Sequence, residues 1–306
     1  MSLETDLLID RRRLKRRLIF WRSLAVVLLV AAVLAGLRGR GLVGGGAYVA
    51  RVSVDGIIGA EDDLARQVAG LADDSGAKAV IVRIDSPGGS AAGGEVLHDA
   101  IARVAARKPV VAVMGGTAAS AGYMVAVPAT RIFARQGTLT GSIGVYLQTA
   151  EISGLLDRLG IATEAIKSGP LKDQPSLFEK TTPEGRQMLQ GLVMDYYNQF
   201  VDMVARGRHM DPDAVRRLAD GRPYTGHQAR SLGLVDEIGG EPEARQWLAQ
   251  AKGVSASLPV RALAQDSLAR RALGTSLADV GEMLWKRFLS QWLRLDGVWA
   301  VWQRPA

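Results

Sequence analysis

The sequence predicts an α/β domain built on a parallel sheet, and three observations lead there. Apolar, β-branched runs at 48–54, 79–84 and 110–114 read as strands. Stretches with helical spacing of apolar residues, 61–71 and 95–104, lie between them. Strands separated by helices in this order require right-handed crossovers, which set the strands parallel in one sheet. The 306 residues, about half of them apolar, suffice for one large domain with a full core or for two small ones.

The first 40 residues stand apart. They hold nine Lys/Arg against three acids (Glu4, Asp6, Asp10), whereas the rest of the chain carries 29 basic and 28 acidic groups. The net charge of +7 is therefore local, which argues against a nucleic-acid-binding surface. Residues 18–37 are apolar apart from Arg22 and Ser23, about the 20 residues needed to span a bilayer. The cations that precede this stretch put the N-terminus in the cytoplasm and residues 41 onward outside. A cleaved signal peptide is the competing reading. The long basic region before the apolar core and the glycines from Gly39 to Gly46 favour an uncleaved transmembrane anchor with a linker behind it. The expected organisation is a basic segment and anchor over 1–40, a linker over 41–47, the α/β domain over 48–250 and a C-terminal extension over 251–306.

Along the domain, the alternating strand at 48–54 and the helix at 61–71 lead to the strand at 79–84, which a turn at 85–90 (DSPGGS) closes. The helix at 95–104 precedes the strand at 110–114, which Gly115 and Gly116 are expected to break. Next come a short strand at 131–134, a glycine loop at 138–144, a helix at 150–159 and a strand at 163–166. A polar loop at 168–180 leads to a long helix over 183–204, with Pro183 as a start signal. A helix near 211–218 follows, and 232–238 closes the core. The tail is less regular. Its aromatic residues, Trp285, Phe288, Trp292, Trp299 and Trp302, fit a docking terminal helix or an interfacial membrane helix equally well.

The absence of cysteine excludes a thiolate nucleophile, disulfides and cysteine-bound zinc. Ser120, in GTAASAGY (116–123), falls at a strand-to-helix junction among small residues. Such a position suits a nucleophile near unpaired helix amides, although a helix N-cap is the commoner role for serine. His98, His209 and His227 are the only histidines, and none lies in a glycine-rich or carboxylate-rich stretch that would suggest a triad. A lysine is the other candidate base, because burial without a carboxylate partner favours the neutral amine. Of the eight lysines, Lys172 lies in the irregular SGPLKD loop (168–173) and Lys167 just before it. In isolation Lys172 reads as an exposed lysine paired with Asp173, and Ser142 as an ordinary turn serine.

Three segments together, GTAASAGY (116–123), LTGSIGV (139–145) and IKSGPLKD (166–173), resemble the signal peptide peptidase A family, membrane-bound Ser/Lys peptidases of the ClpP/crotonase fold. The turn DSPGG (85–89) and the stretch DGRPYTG (220–226) also match that pattern, so the resemblance covers about residues 48–245. It departs from the pattern at Ala121, where a glycine is common, and in the 255–306 tail, which has no counterpart. The resemblance implies a ClpP/crotonase-like repeated β-β-α core with a parallel sheet. It implies Ser120 as nucleophile, Lys172 as general base, Ser142 as the group orienting the lysine, and an oxyanion hole from the amides of Gly88 or Gly89 and of Ala121. No cofactor or metal is implied. The substrates would be signal-peptide remnants and other membrane-associated peptides, cleaved outside the bacterial inner membrane by a single-pass protein. A homo-oligomeric ring would share each site between adjacent subunits. Two other readings stay open: a Ser/Lys membrane peptidase with one specific protein substrate, and a non-catalytic ring-forming scaffold partner. The same fold hosts acyl-CoA hydratases and isomerases, which are soluble and use carboxylates where this chain has a Ser/Lys pair.

Overall fold

The computed structural model describes residues 20–29, 46–263 and 299–301. The chain forms two compact units, Met1–Ala47 and Tyr48–Ala306. In the first, residues 20–29 form a helix, α1, that exposes Phe20, Trp21 and the run Val26 to Leu29. The rest of the expected span at 18–37, and most of the linker at 41–47, lie outside the described residues. Among the described residues no helix is long and apolar enough to cross a membrane.

The second unit is built on a nine-stranded, mostly parallel sheet. Its centre is β1 (Tyr48–Ile58), β2 (Ala77–Ser90) and β3 (Val110–Ala119), parallel in the order β3-β2-β1. Both β4 (Arg131–Ala134) and β5 (Leu139–Gly141) pair parallel with β3. β6 (Pro223–Thr225) runs antiparallel to β5, β7 (Glu237–Ile238) parallel to β4, and β8 (Val260–Ala262) parallel to β1. β9 (Trp299–Val301) lies antiparallel on the end of β2. The expected α/β class with a parallel sheet is what the chain adopts.

Successive strand residues point to opposite faces, and the sheet is covered on both. Ala50, Val52, Val54, Val80, Val82, Ile84, Ala112 and Met114 face the larger core. There they meet α2 (Asp62–Gly70), α3 (Ala91–Ala105), α4 (Ala121–Ala126) and the end of α6 (Pro183–Arg208). Val49, Ala79, Ile81, Val111, Val113 and Phe133 point the other way, against Ala244 and Leu248 of α9 (Glu241–Lys252). The remaining helices are α5 (Ser153–Arg158), α7 (Pro212–Leu218) and α8 (Gly226–Ser231).

Several elements depart from the expectation. β2 does not end at Ile84 but continues through Asp85-Ser86-Pro87-Gly88-Gly89 to Ser90, because β1 is longer than expected and pairs Ile57 with Gly88 and Ile58 with Gly89. A β-carbon on Gly89 would lie 1.9 Å from the Ile58 carbonyl oxygen, so glycine is what lets the two strands meet. β3 likewise runs through Gly115 and Gly116 to Ala119. A β-carbon on Gly115 would lie 2.8 Å from the Asp85 carboxyl carbon, and that carboxylate accepts the Thr117 amide at 3.1 Å. No strand forms at 163–166, and the helix expected over 150–159 shortens to α5, which buries no residue. Leu155, Leu159, Ile161 and Ile166 are all exposed, so nothing among the described residues supplies the packing that would fix regular structure there. The stretch 232–238, expected to close the core, buries Leu234 and Val235 and ends in the two-residue β7.

Candidate active site

β3 delivers Ser120 to the first turn of α4, a short helix in which every residue is buried. Ser120 has φ 55° and ψ −121°, a conformation that costs a non-glycine residue about 1–3 kcal/mol. Its side chain makes no capping bond, which sets aside the helix-cap role. Backbone contacts hold the turn in place. The Ser120 amide donates to the Gly141 carbonyl at 2.8 Å, and the Ser120 carbonyl accepts from the Tyr123 and Met124 amides at 2.9 Å each. α4 is further fixed by the Tyr123 hydroxyl, which donates to the Leu234 carbonyl at 2.8 Å from a fully buried position, and burial pushes that phenol's pKa up. Glycines admit the close neighbours of this turn: a β-carbon on Gly122 would meet the Ser86 carbonyl oxygen at 2.9 Å, and one on Gly94 the Ala121 side chain at 3.0 Å. A sharp, strained strand-to-helix turn of this kind holds a serine hydroxyl out of the backbone's hydrogen-bonding network.

Pairing of β5 with β3, Gly141 opposite Ala119, brings Ser142 beside Ser120. Ser142 is also at positive φ (48°) and nearly buried. Its amide donates to the Arg222 carbonyl and its hydroxyl to the Gly221 carbonyl, both at 3.1 Å. Ser120 and Ser142 share a cavity of about 280 Å³, whose wall also includes Tyr146, Tyr197, Asp220 and Gly221. Hydrogen bonds from Arg222 hold the exposed Asp220 carboxyl below the usual aspartate range. Asp220 and Gly221 belong to the DGRPYTG stretch singled out in the sequence. Tyr197 sits on α6 with no local signal to mark it, because its place in the wall depends on how the helix crosses the sheet.

The expected oxyanion donors flank the same turn. Gly88 has φ 114°, and its amide donates to the buried Ser86 hydroxyl at 3.1 Å. No side chain takes the Gly89 amide among the described residues, and Ala121 carries the first amide of α4, which has no partner within the helix. Lys172 is not brought to the cavity. It sits exposed in the 168–180 loop, where its amide donates to the Gly169 carbonyl at 3.1 Å. Lys167 is engaged elsewhere: its ammonium pairs with the Glu179 carboxylate and lies 3.8 Å from Asp173, so it is not a free base. The histidines do not line the cavity either. His98 contacts Asp99 at 3.0 Å, His209 ends α6 in the left-handed conformation and His227 lies in α8.

A mostly parallel sheet that ends in a strained, buried serine beside two glycine-rich segments makes this a ClpP-like α/β domain, and the Clp protease pattern matches residues 58–137. The pattern of peptidase family S49 matches residues 102–255, half of the chain and the part that holds Ser120, Ser142 and Lys172. The chain belongs to peptidase family S49. It is 43% identical over 176 residues to the Synechocystis protein described as "Putative protease slr0021", covering 58% of this chain and 64% of that one. It is 39% identical over 187 residues to the Enterococcus faecium protein described as "Putative signal peptide peptidase SppA", covering 61% of this chain and 54% of that one. A solved membrane-bound stomatin-specific protease superposes with a TM-score of 0.48 at 17% identity, covering 72% of this chain and 99% of that one. The chain spans about half to two thirds of the length of the curated relatives it matches first.

Proposed function

We propose that the chain is a membrane-anchored serine endopeptidase that hydrolyses residual signal peptides and other membrane-associated peptides, with Ser120 as nucleophile and Lys172 as general base. The observation that carries this reading is the strained turn at Ser120, which presents a hydroxyl free of capping bonds to a cavity shared with Ser142. Neutral Lys172 takes the Ser120 proton as Ser120 attacks the peptide carbonyl, and the lysine then protonates the leaving amine. Water hydrolyses the acyl-enzyme by the reverse proton path. Amides of Gly88 or Gly89 and of Ala121 stabilise the oxyanion, each such donor contributing on the order of 3 kcal/mol. Ser142 turns its hydroxyl from the Gly221 carbonyl to orient the lysine amine.

Within one chain the base is missing from the cavity, which supports assembly into a ring with each site shared between neighbours. A lysine serves as base only where burial favours the neutral amine, and a neighbour covering the 168–180 loop supplies that burial. Leu155, Leu159, Ile161, Ile166 and Phe178, exposed in and before this loop, provide apolar surface for such a neighbour. The basic, apolar N-terminal segment is the anchor, with the α/β domain outside the cytoplasmic membrane.

The test is turnover of an apolar signal-peptide fragment by detergent-solubilised protein. Ser120→Ala and Lys172→Ala should each lower kcat by at least about a thousandfold. Co-expression of the two variants in equal amounts should restore up to about a quarter of wild-type turnover, the share of interfaces that join an intact serine to an intact lysine. No recovery in confirmed mixed oligomers rejects the shared site. Full activity of Ser120→Ala rejects Ser120 as nucleophile, and no turnover by the wild-type oligomer rejects the peptidase reading.

A further inference from the structure

Lys167 and Lys172 lie in one short stretch of chain, yet only the first is paired. The Lys167 ammonium bonds the Glu179 carboxylate and lies 3.8 Å from that of Asp173, joining the two ends of the 168–180 loop to its middle. Asp173 reaches Lys167 from a left-handed backbone, φ 71°. Lys172, next to Asp173 in the chain, is exposed and has no ion pair among the described residues. This is the reverse of the pairing that adjacency suggests, in which Asp173 would hold Lys172. The elements packed against the loop bring four more charges. The segment before α5, whose Ile152 amide donates to the Leu177 carbonyl at 2.9 Å, carries Glu151, on which the charge of Lys180 acts. The Gln174 side chain lies against Gly185 at the start of α6, where Glu184 and Arg186 flank that glycine.

A carboxylate close to an ammonium favours the charged form, so a free carboxylate beside Lys172 would keep that amine protonated. We infer that Lys167 is a positioning residue that draws the Asp173 and Glu179 carboxylates to itself, so that Lys172 is the lysine of this stretch left free to lose its proton. The arrangement of charge stands on the geometry alone; its bearing on Ser120 rests on the peptidase reading above. Burial by a neighbouring subunit and withdrawal of the carboxylates then act in the same direction, since each favours the neutral amine.

The experiment reads the ionisation of Lys172 directly. Full-length oligomer in the Ser120→Ala background is pulsed with a trace of acetic anhydride, which acylates only the neutral amine. The pulse is repeated across a pH series at low ionic strength, where exposed charges are least screened, and acetylation of Lys172 is quantified by peptide mapping. Lys167→Met leaves both carboxylates without their cation, and the Lys172 midpoint should rise by about one pH unit, a tenfold smaller neutral fraction at any pH below it. Asp173→Asn/Glu179→Gln leaves the Lys167 charge unbalanced, and the midpoint should fall. Lys167→Arg keeps the charge and should keep the parent midpoint. General loosening of the loop would move the first two variants the same way, so opposite displacements are the signature. In parallel, with Ser120 intact, the acid limb of kcat/KM for an apolar peptide should follow the same displacements at an unchanged plateau. Equal midpoints in Lys167→Met and its parent, or displacement of both charge variants in one direction, overturns the inference. Opposite displacements without turnover by the Ser120-intact proteins uphold it and reject the peptidase reading instead.

Discussion

Replacing Ser120 tests whether the fold is strained at this turn. Ser120→Ala and Ser120→Gly both remove the hydroxyl, so the difference between them isolates one β-carbon at φ 55° and ψ −121°. In ordinary backbone the alanine-to-glycine step destabilises by about 0.5–1 kcal/mol, through the freedom glycine has in the unfolded chain. Here the β-carbon sits in a conformation that costs about 1–3 kcal/mol, and glycine adopts it without that cost. Taking the middle of both ranges, glycine should be the more stable of the two by about 1 kcal/mol, an inversion of the usual order. Urea titration followed by far-ultraviolet circular dichroism reads the difference. With a slope near 3 kcal/mol per molar urea, the glycine midpoint should lie about 0.3 M above the alanine midpoint. A glycine variant that is less stable by about 0.5–1 kcal/mol, the ordinary cost, would refute strain at Ser120.

Two further outcomes follow from packing and charge. Arg208 donates to Asp236 at 3.0 and 2.6 Å, and the Ile132 amide donates to the same carboxylate at 2.7 Å, tying the end of α6 to β4. Burial alone would raise the Asp236 pKa, but the hydrogen bonds and charge of Arg208 together with the Ile132 amide outweigh it and hold the carboxyl below its usual value. A lowered folded pKa gives stability that is complete above the unfolded value, near 3.9, and is lost as pH falls through the folded one. Asp236→Asn should therefore cost about 3 kcal/mol at pH 7, with the gap to wild type closing as pH drops below about 4, seen in urea midpoints across pH. Gly89→Ala should destabilise by about 3 kcal/mol or more, since its β-carbon would sit 1.9 Å from the Ile58 carbonyl oxygen. Gly116→Ala, whose nearest neighbour would be Asp85 at 3.7 Å, should change thermal stability by less than about 1 kcal/mol.

The central strands and Ser120 were legible because they rest on local signals. The alternation in 48–54, the apolar runs at 79–84 and 110–114, and the small residues around Ser120 each constrain the backbone by themselves. The DSPGG and MGG segments misled because paired glycines read as turns when the partner is out of view. Here they are strand residues, thinned so that β1 can reach Gly89 and Asp85 can lie against Gly115. Residues 163–166 carry a strand-like pattern without a strand, since no strand among the described residues pairs with them. The Ser120–Ser142 pairing could be read only through family resemblance, because it depends on β5 lying beside β3. Tyr197 was beyond reach for a similar reason, its position being set by the path of α6. The expectation for the tail named a helix, docking or interfacial, whereas residues 299–301 form a strand; the other tail aromatics lie outside the described residues.

The central claim is that Ser120 is a nucleophile activated by Lys172. Stoichiometric labelling of the oligomer with a fluorophosphonate, with the modified residue located by peptide mapping, tests it most directly. The account predicts one adduct per active site on Ser120, no adduct in Ser120→Ala, and labelling slowed by at least about a thousandfold in Lys172→Ala. An adduct on another serine, or labelling of Lys172→Ala at the wild-type rate, would contradict it.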